Sequence, residues 1–420
     1  MIPYHPLVLV FSVLLVATCA MRRVLARINI SHLRKFADRI PDVFRGEIDS
    51  ETLSRMNRYT VDSSRLSSLE STVGDLVLII VLLSGLVPWT VGLIDSLHLG
   101  PVASGLIFFM VLALAGSILE IPFDLYGTFV IEQKYGFSTI TPGLWLSDLF
   151  KNLVISGLLM IALFTPLLAL IQHAGKTWWL WAWIFFAVFQ LFILWLYPIA
   201  ISPLFNKFEP VKNEELRERI VSTAERAGIT VSGVYQVDAA KRSRHTNAYF
   251  TGIGKTKRIV LYDTLLGAHS TAEILSVLAH EIGHWIKKHV RKQLIMIEVL
   301  SFISFYLTSL FLDWLPLYRA FGLEREVPYA GLFLLGVAVK PVLFFFTPIG
   351  AGISRRFERQ ADDYVFSLLG TTRPLIDALK RLAKENLANL HPHPFYAWFY
   401  YSHPPLADRI EHLWELEKAS

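Results

Sequence analysis

The sequence predicts a mainly α, polytopic membrane protein with seven transmembrane helices and a small α+β unit between the fifth and sixth of them. Three observations carry this. Mean hydropathy is +0.45 and only 18% of the 420 residues are charged, too apolar a balance for a soluble chain of this length. Seven apolar stretches are long enough to cross a bilayer, at 7–21, 76–94, 102–121, 153–171, 178–201, 294–314 and 330–351, the first of them short. Between the fifth and sixth, 202–293 changes to amphipathic and alternating patterns.

The first stretch differs from a secretory signal because its charges, Arg22 and Arg23, follow the apolar run instead of preceding it. Orientation follows from the loops. The segment 22–72 carries ten cations, Arg22, Arg23, Arg27, Arg34, Lys35, Arg39, Arg45, Arg55, Arg58 and Arg65, whereas 95–101 and 173–177 together hold only Lys176. Positive charge marks the cytoplasmic side, so the N-terminus is outside, and 202–293 and everything after 352 are cytoplasmic. The organisation expected is an N-terminal membrane domain of five spans (1–201), a cytoplasmic segment (202–293), two further spans (294–352) and a C-terminal segment (353–420). The net charge of +5 is explained by these juxtamembrane cations, with no nucleic-acid partner.

Within 202–293, an amphipathic helix is expected over 214–227, stopped by Gly228, then strands at 231–237, 246–250 and 258–262, then a helix over 271–292. Gly254, Lys255 and Thr256 resemble the end of a phosphate loop, but the position five residues before Gly254 is Tyr249 where glycine is needed. That turn is read as a hairpin, with no nucleotide. The last helix contains His280-Glu281-Ile282-Gly283-His284. Its two histidines stand at i and i+4 on one face, where their rings can converge on one metal ion, while Glu281 can take a proton from water without being a ligand. The plainer reading is the polar face of an ordinary helix. Cys19, the one cysteine, lies in an apolar run, so any ligands are His, Asp or Glu. In a protease, Asn247, Ala248 and Tyr249 would be an edge strand that pairs with an extended substrate, or else a hairpin strand that only packs under the helix.

The third ligand is less determined. A His-x-x-Gly-x-x-His continuation is excluded by Lys287 and Val290, and His289 is read as a solvated helix residue. A helix over 354–369 offers Glu358 and, four residues on, Asp362. Glu358 as ligand with Asp362 as acceptor for a ligand imidazole N–H is one reading; solvated charges on a juxtamembrane helix is the other, and spacing leaves both open.

The stretch 354–362 (Ser-Arg-Arg-Phe-Glu-Arg-Gln-Ala-Asp), the His280–His284 motif, and Tyr401-Ser402-His403-Pro404-Pro405 leading to Arg409 resemble the CAAX prenyl protease 1 family of integral-membrane zinc metalloendopeptidases, of gluzincin type. So do 122–137 and 384–393, in the family's order. The resemblance implies one zinc ion per chain on His280, His284 and Glu358, Glu281 as catalytic base, and His403 and Arg409 as oxyanion or substrate contacts. It implies Asn247 and Ala248 on the substrate-pairing strand, with Thr246 where serine is more usual. It further implies helices enclosing an intramembrane chamber, which Glu120, Asp124, Glu298 and Lys340 would face unless they pair or snorkel. The expected substrate is a peptide or protein that is prenylated at a C-terminal Cys-a-a-X sequence, in contact with membrane lipid. The compact length suits a bacterial inner membrane, where general membrane-protein quality control would replace prenyl specificity; a eukaryotic host would imply the endoplasmic reticulum. A catalytically silent transporter or scaffold is the non-enzyme alternative.

Overall fold

The computed structural model describes residues 5–251 and 258–419; the expected hairpin turn at Gly254, Lys255 and Thr256 lies outside them. Seven helices among the described residues are long and apolar enough to span a membrane: Pro6–Lys35, Ser50–Leu83, Pro101–Glu132, Pro142–His173, Gly175–Phe205, His289–Phe311 and Pro328–Leu369. Their outward faces, including Ile118, Leu158, Val188 and Leu300, are exposed apolar side chains, as a lipid solvent requires.

The helices are longer than the hydropathy pattern marks. Apolarity records only the part within hydrocarbon, whereas i→i−4 bonding continues into water until a cap stops it. The cation-rich segment after the first span is therefore largely helical, interrupted between Lys35 and Ser50, where Asp49 caps the next helix by accepting from the Thr52 N–H at 2.7 Å. The second span also ends earlier than expected. It stops at Leu83, Gly85 takes φ +86°, and Leu86–Asp95 forms a separate short helix.

The polar insert folds as a four-stranded sheet among the described residues, in the order β1 (Phe208–Pro210), β2 (Gly233–Val237), β4 (Arg258–Tyr262), β3 (Ala248–Thr251). β1 is antiparallel to β2, β2 parallel to β4, and β3 antiparallel to β4 with Ala248 opposite Leu261. β1 has only three residues and was not foreseen, because so short a strand shows no alternation. Helix Glu214–Arg226 covers the sheet, and Gly228 turns the chain at φ +72°. Leu216 and Ile220 from this helix, Val234, Ile259 and Leu261 from the strands, and Ile274, Leu278 and Ile282 from helix Thr271–Ile286 share one core.

A second core draws on distant parts of the chain. Phe44 after the first span, Leu53 and Met56 at the start of the second helix, Tyr135 and Phe137 after the third, Ala279, Val365, Leu379, Ile410 and Leu413 pack together. The seventh span is continuous for 42 residues, about 60 Å of helix against a hydrocarbon core of about 30 Å. Its C-terminal half therefore projects from the membrane to Gly370, which caps it at φ +75°. That projecting half carries Glu358 and Asp362.

Candidate metal centre and active site

The site forms where helix Thr271–Ile286 crosses the projecting half of the seventh span. Ser270 and Glu273 start the first helix with a capping box, Ser270 N–H to Glu273 at 2.7 Å and Glu273 N–H to Ser270 at 3.3 Å. Its apolar side, Ile274, Leu278 and Ile282, is held by the sheet core, which turns His280 and His284 toward the seventh span. The helices approach closely because position 283 has no side chain. A Cβ there would lie 3.0 Å from the Ala361 Cα and 3.1 Å from the Ala361 carbonyl oxygen.

Three ligand atoms converge. His280 Nε2 lies 3.3 Å from Glu358 Oε2, His284 Nε2 lies 3.2 Å from Glu358 Oε1, and the two Nε2 atoms are 3.2 Å apart. His280, His284 and Glu358 are the group of this kind among the described residues whose donor atoms all lie within 4.8 Å of one another. Glu358 is 5% exposed, yet its Oε2 accepts no hydrogen bond. A buried carboxylate oxygen without a donor is costly unless a cation fills its place. Two imidazole nitrogens and one carboxylate oxygen fit an ion with three protein ligands and an open fourth position.

Behind His280, Asp362 Oδ1 lies 2.8 Å from the ring Nδ1. Arg409 grips this carboxylate with two arms, Nε to Oδ2 at 2.9 Å and Nη2 to Oδ1 at 2.6 Å. Both side chains are buried, so little water screens the pair. Burial opposes charge on the His280 ring, but the Asp362 and Glu358 carboxylates overcome it and raise its pKa to about 9. Arg409 also meets the candidate ligands themselves, with Nη2 3.4 Å from His280 Nδ1 and Nη1 4.0 Å from Glu358 Oε2. His403 instead stands at the open side, 60% exposed, with Nε2 3.3 Å from Glu358 Oε1 and Nδ1 3.0 Å from the Ser402 hydroxyl. Burial pushes the Glu281 carboxyl above its ordinary value, against the pull of the neighbouring His280 and His284 rings.

His289 is the main departure from expectation. It is 1% exposed, not solvated. The helix anticipated through 292 ends at Ile286, Lys288 takes φ +57°, and the next helix starts at His289. This left-handed residue swings His289 back, placing its Nδ1 3.0 Å from the Nδ1 of His284 and its Nε2 2.9 Å from Gln360 Oε1. No local pattern signals such a reversal.

Asn247 precedes β3, and Ala248 and Tyr249 open it; β3 is an outer strand of the sheet lying beside the His280–His284 helix. The Asn247 carbonyl accepts from the Tyr262 N–H at 3.0 Å, Ala248 packs into the sheet core, and Tyr249 lines a cavity of about 440 Å³ with Tyr197, Phe208 and Tyr235. Glu120 and Asp124 line another cavity, of about 470 Å³, with Glu70 and Glu132, and Asp124 accepts from the Trp145 indole at 2.6 Å. Glu298 has a buried Oε2 with no hydrogen-bond partner. His245, unforeseen, joins the two segments outside the peptidase motif that carried the family resemblance. It lies 3.2 Å from Glu132 and 2.9 Å from Asn386, with its ring stacked on Phe137 at 4.2 Å.

Comparison with known proteins extends the geometry over the whole chain. Residues 29–207 match the family described as CAAX prenyl protease N-terminal, five membrane helices, and residues 210–417 match peptidase family M48. The chain is 33% identical over 380 residues to a CAAX prenyl protease 1 homolog of Arabidopsis thaliana, covering 88% of this chain and 89% of that one. It is 34% identical over 403 residues to CAAX prenyl protease 1 of Saccharomyces cerevisiae, covering 89% and 88%. The crystal structure of S. mikatae Ste24p superposes with a TM-score of 0.93 at 30% identity, over 98% of this chain and 100% of that chain. The chain therefore belongs to peptidase family M48, in its membrane-embedded CAAX prenyl protease branch, and is a multi-pass membrane metalloprotease.

Proposed function

We propose that the protein hydrolyses peptide bonds with one zinc ion per chain held by His280, His284 and Glu358. The convergence of two Nε2 atoms on the Glu358 carboxylate, whose buried Oε2 accepts no hydrogen bond, carries this reading. When bound, zinc polarises the scissile carbonyl and makes water a nucleophile near neutral pH. Glu281 receives the proton of the attacking water and passes it to the departing amine; its raised affinity for a proton suits that exchange. His403, on the open side, donates to the carbonyl oxygen as negative charge develops there. Asp362 accepts the His280 Nδ1–H, leaving the Nε2 lone pair for the metal, and Arg409 fixes Asp362, so we assign Arg409 to holding the ligand shell more than to the oxyanion.

The extended substrate backbone pairs with β3 through Asn247, Ala248 and Tyr249. The cation-rich flanks of the first two spans support a cytoplasmic position for this peptidase unit. The names of the relatives support a substrate with a prenylated C-terminal Cys-a-a-X sequence, and the cut proposed here is the one after the modified cysteine.

The test is cleavage of two peptides by purified protein and its Glu281→Gln variant, one peptide farnesylated at a C-terminal Cys-a-a-X cysteine and one identical but unmodified. Cutting after the modified cysteine by the native protein alone supports the proposal, and preference for the farnesylated peptide measures lipid recognition. Equal cutting of both moves the substrate toward general membrane proteolysis. No cutting by a zinc-loaded protein rejects the assignment.

A further inference from the structure

The two ligand imidazoles have different support behind them. His280 has an anionic acceptor, Asp362, at 2.8 Å. His284 has at its Nδ1 a second imidazole, His289, at 3.0 Å, and His289 in turn meets the Gln360 amide oxygen at 2.9 Å. The His289 ring also lies flat on Phe357, centroids 4.2 Å apart and planes inclined by 9°. It is therefore held by two hydrogen-bonding neighbours and one stacking face, in a site 1% exposed.

We infer that Gln360 and His289 form a proton-ordered relay that sets the tautomer of His284, making both of them positioning residues for the metal. The order follows from donor and acceptor inventory. An amide oxygen only accepts, so His289 carries its proton on Nε2. Its Nδ1 is then a lone pair, and the facing Nδ1 of His284 must be the donor. That leaves His284 Nε2 unprotonated on the side of Glu358 and His280, where a metal needs it. One stretch of the seventh span thus supplies the ligand Glu358, the acceptor Asp362 for one histidine, and the relay end Gln360 with its stacking partner Phe357 for the other.

A neutral relay on one side also has an electrostatic consequence. The Asp362 charge is already matched by Arg409, so an uncharged Gln360 orients His284 without adding another buried carboxylate near Glu358 and Glu281. The inference rests on the proposed zinc site, and its test separates the two. Zinc affinity of full-length protein in detergent is measured by competition with a chromophoric chelator for the native chain, Gln360→Leu, Gln360→Glu and His289→Leu. Thermal melts without metal check folding, and the visible spectrum of the cobalt-substituted form reads ligand geometry.

A tautomer-setting relay makes Gln360→Leu lose about ten-fold to a hundred-fold in zinc affinity, the usual scale for groups that orient a ligand. It also shifts the cobalt spectrum, with an unchanged metal-free melt. Gln360→Glu, which keeps an acceptor oxygen, retains affinity. Native affinity and spectrum in Gln360→Leu overturn the inference whatever His289→Leu does, and so does an equal loss in Gln360→Glu, which would make the effect steric. A native chain that takes up no zinc removes the underlying site along with the relay.

Discussion

Replacing Gly283 by alanine should separate the two helices that carry the proposed metal ligands. In an isolated helix this substitution is favourable by about 1 kcal/mol, so a fold with spare room would gain from it. Here the added methyl meets the Ala361 Cα at 3.0 Å, the Ala361 carbonyl oxygen at 3.1 Å and the Tyr364 Cβ at 3.1 Å. Comfortable carbon contacts begin near about 3.5 Å, so relief requires about half an ångström of movement. Two of the three atoms are backbone and the third is fixed to it, so no rotamer change provides that movement. Overpacking of this kind costs about 1–3 kcal/mol, which cancels or exceeds the propensity gain. Ala361 lies between Glu358 and Asp362, so the shift moves a ligand and a ligand's acceptor together, on a scale larger than the ~0.2 Å tolerance of metal–ligand distances. Gly283→Ala should melt below the native protein and bind zinc about ten-fold or more weakly by chelator competition. A variant that melts at or above the native temperature with unchanged zinc affinity would refute the packing argument.

Three further outcomes follow from the same geometry. Arg409→Met leaves the Asp362 carboxylate buried and unmatched and should cost about 3–5 kcal/mol in thermal or denaturant unfolding, while the double variant with Asp362→Leu regains much of this and still binds zinc weakly. His403→Ala should lower kcat by about 10²–10³ with KM little changed and zinc content intact, because its contact forms as charge develops on the carbonyl oxygen; a rise in KM alone would point to substrate binding. The Glu132 contact holds His245 above its ordinary 6.5, so that tie is fully present below pH 6.5 and fades as pH rises through the higher folded-state value. The native melting temperature should therefore fall between pH 6 and pH 9 by more than that of His245→Gln, and parallel curves would refute the link.

The sequence by itself determined what depends on nearest neighbours and fixed spacings. Seven apolar runs give seven spanning helices, since backbone groups in hydrocarbon have no other way to be satisfied. The i, i+4 histidines with Glu281 between them give a helix whose two imidazoles share one face, and Glu358 with Asp362 lie one turn apart on another. The periodicity of 214–227 and 258–262 gave one helix to within a residue and one strand as expected. Span ends were less legible, because Gly85, with φ +86°, ends a helix inside an apolar run that hydropathy reads as continuous.

The tertiary structure decided whatever joins residues far apart in the chain. Spacing alone left Glu358 between ligand and solvated charge; the crossing at Gly283 brings it 3.3 Å from His280. The family resemblance offered Arg409 as an oxyanion or substrate contact, and only the fold shows its guanidinium gripping Asp362, 47 residues away. His289 looks like the next exposed position on a helix until Lys288 reverses the path and Gln360, 71 residues on, receives it. Local propensity cannot express these contacts, because each requires two independently formed helices to be pressed together by cores assembled from both ends of the chain.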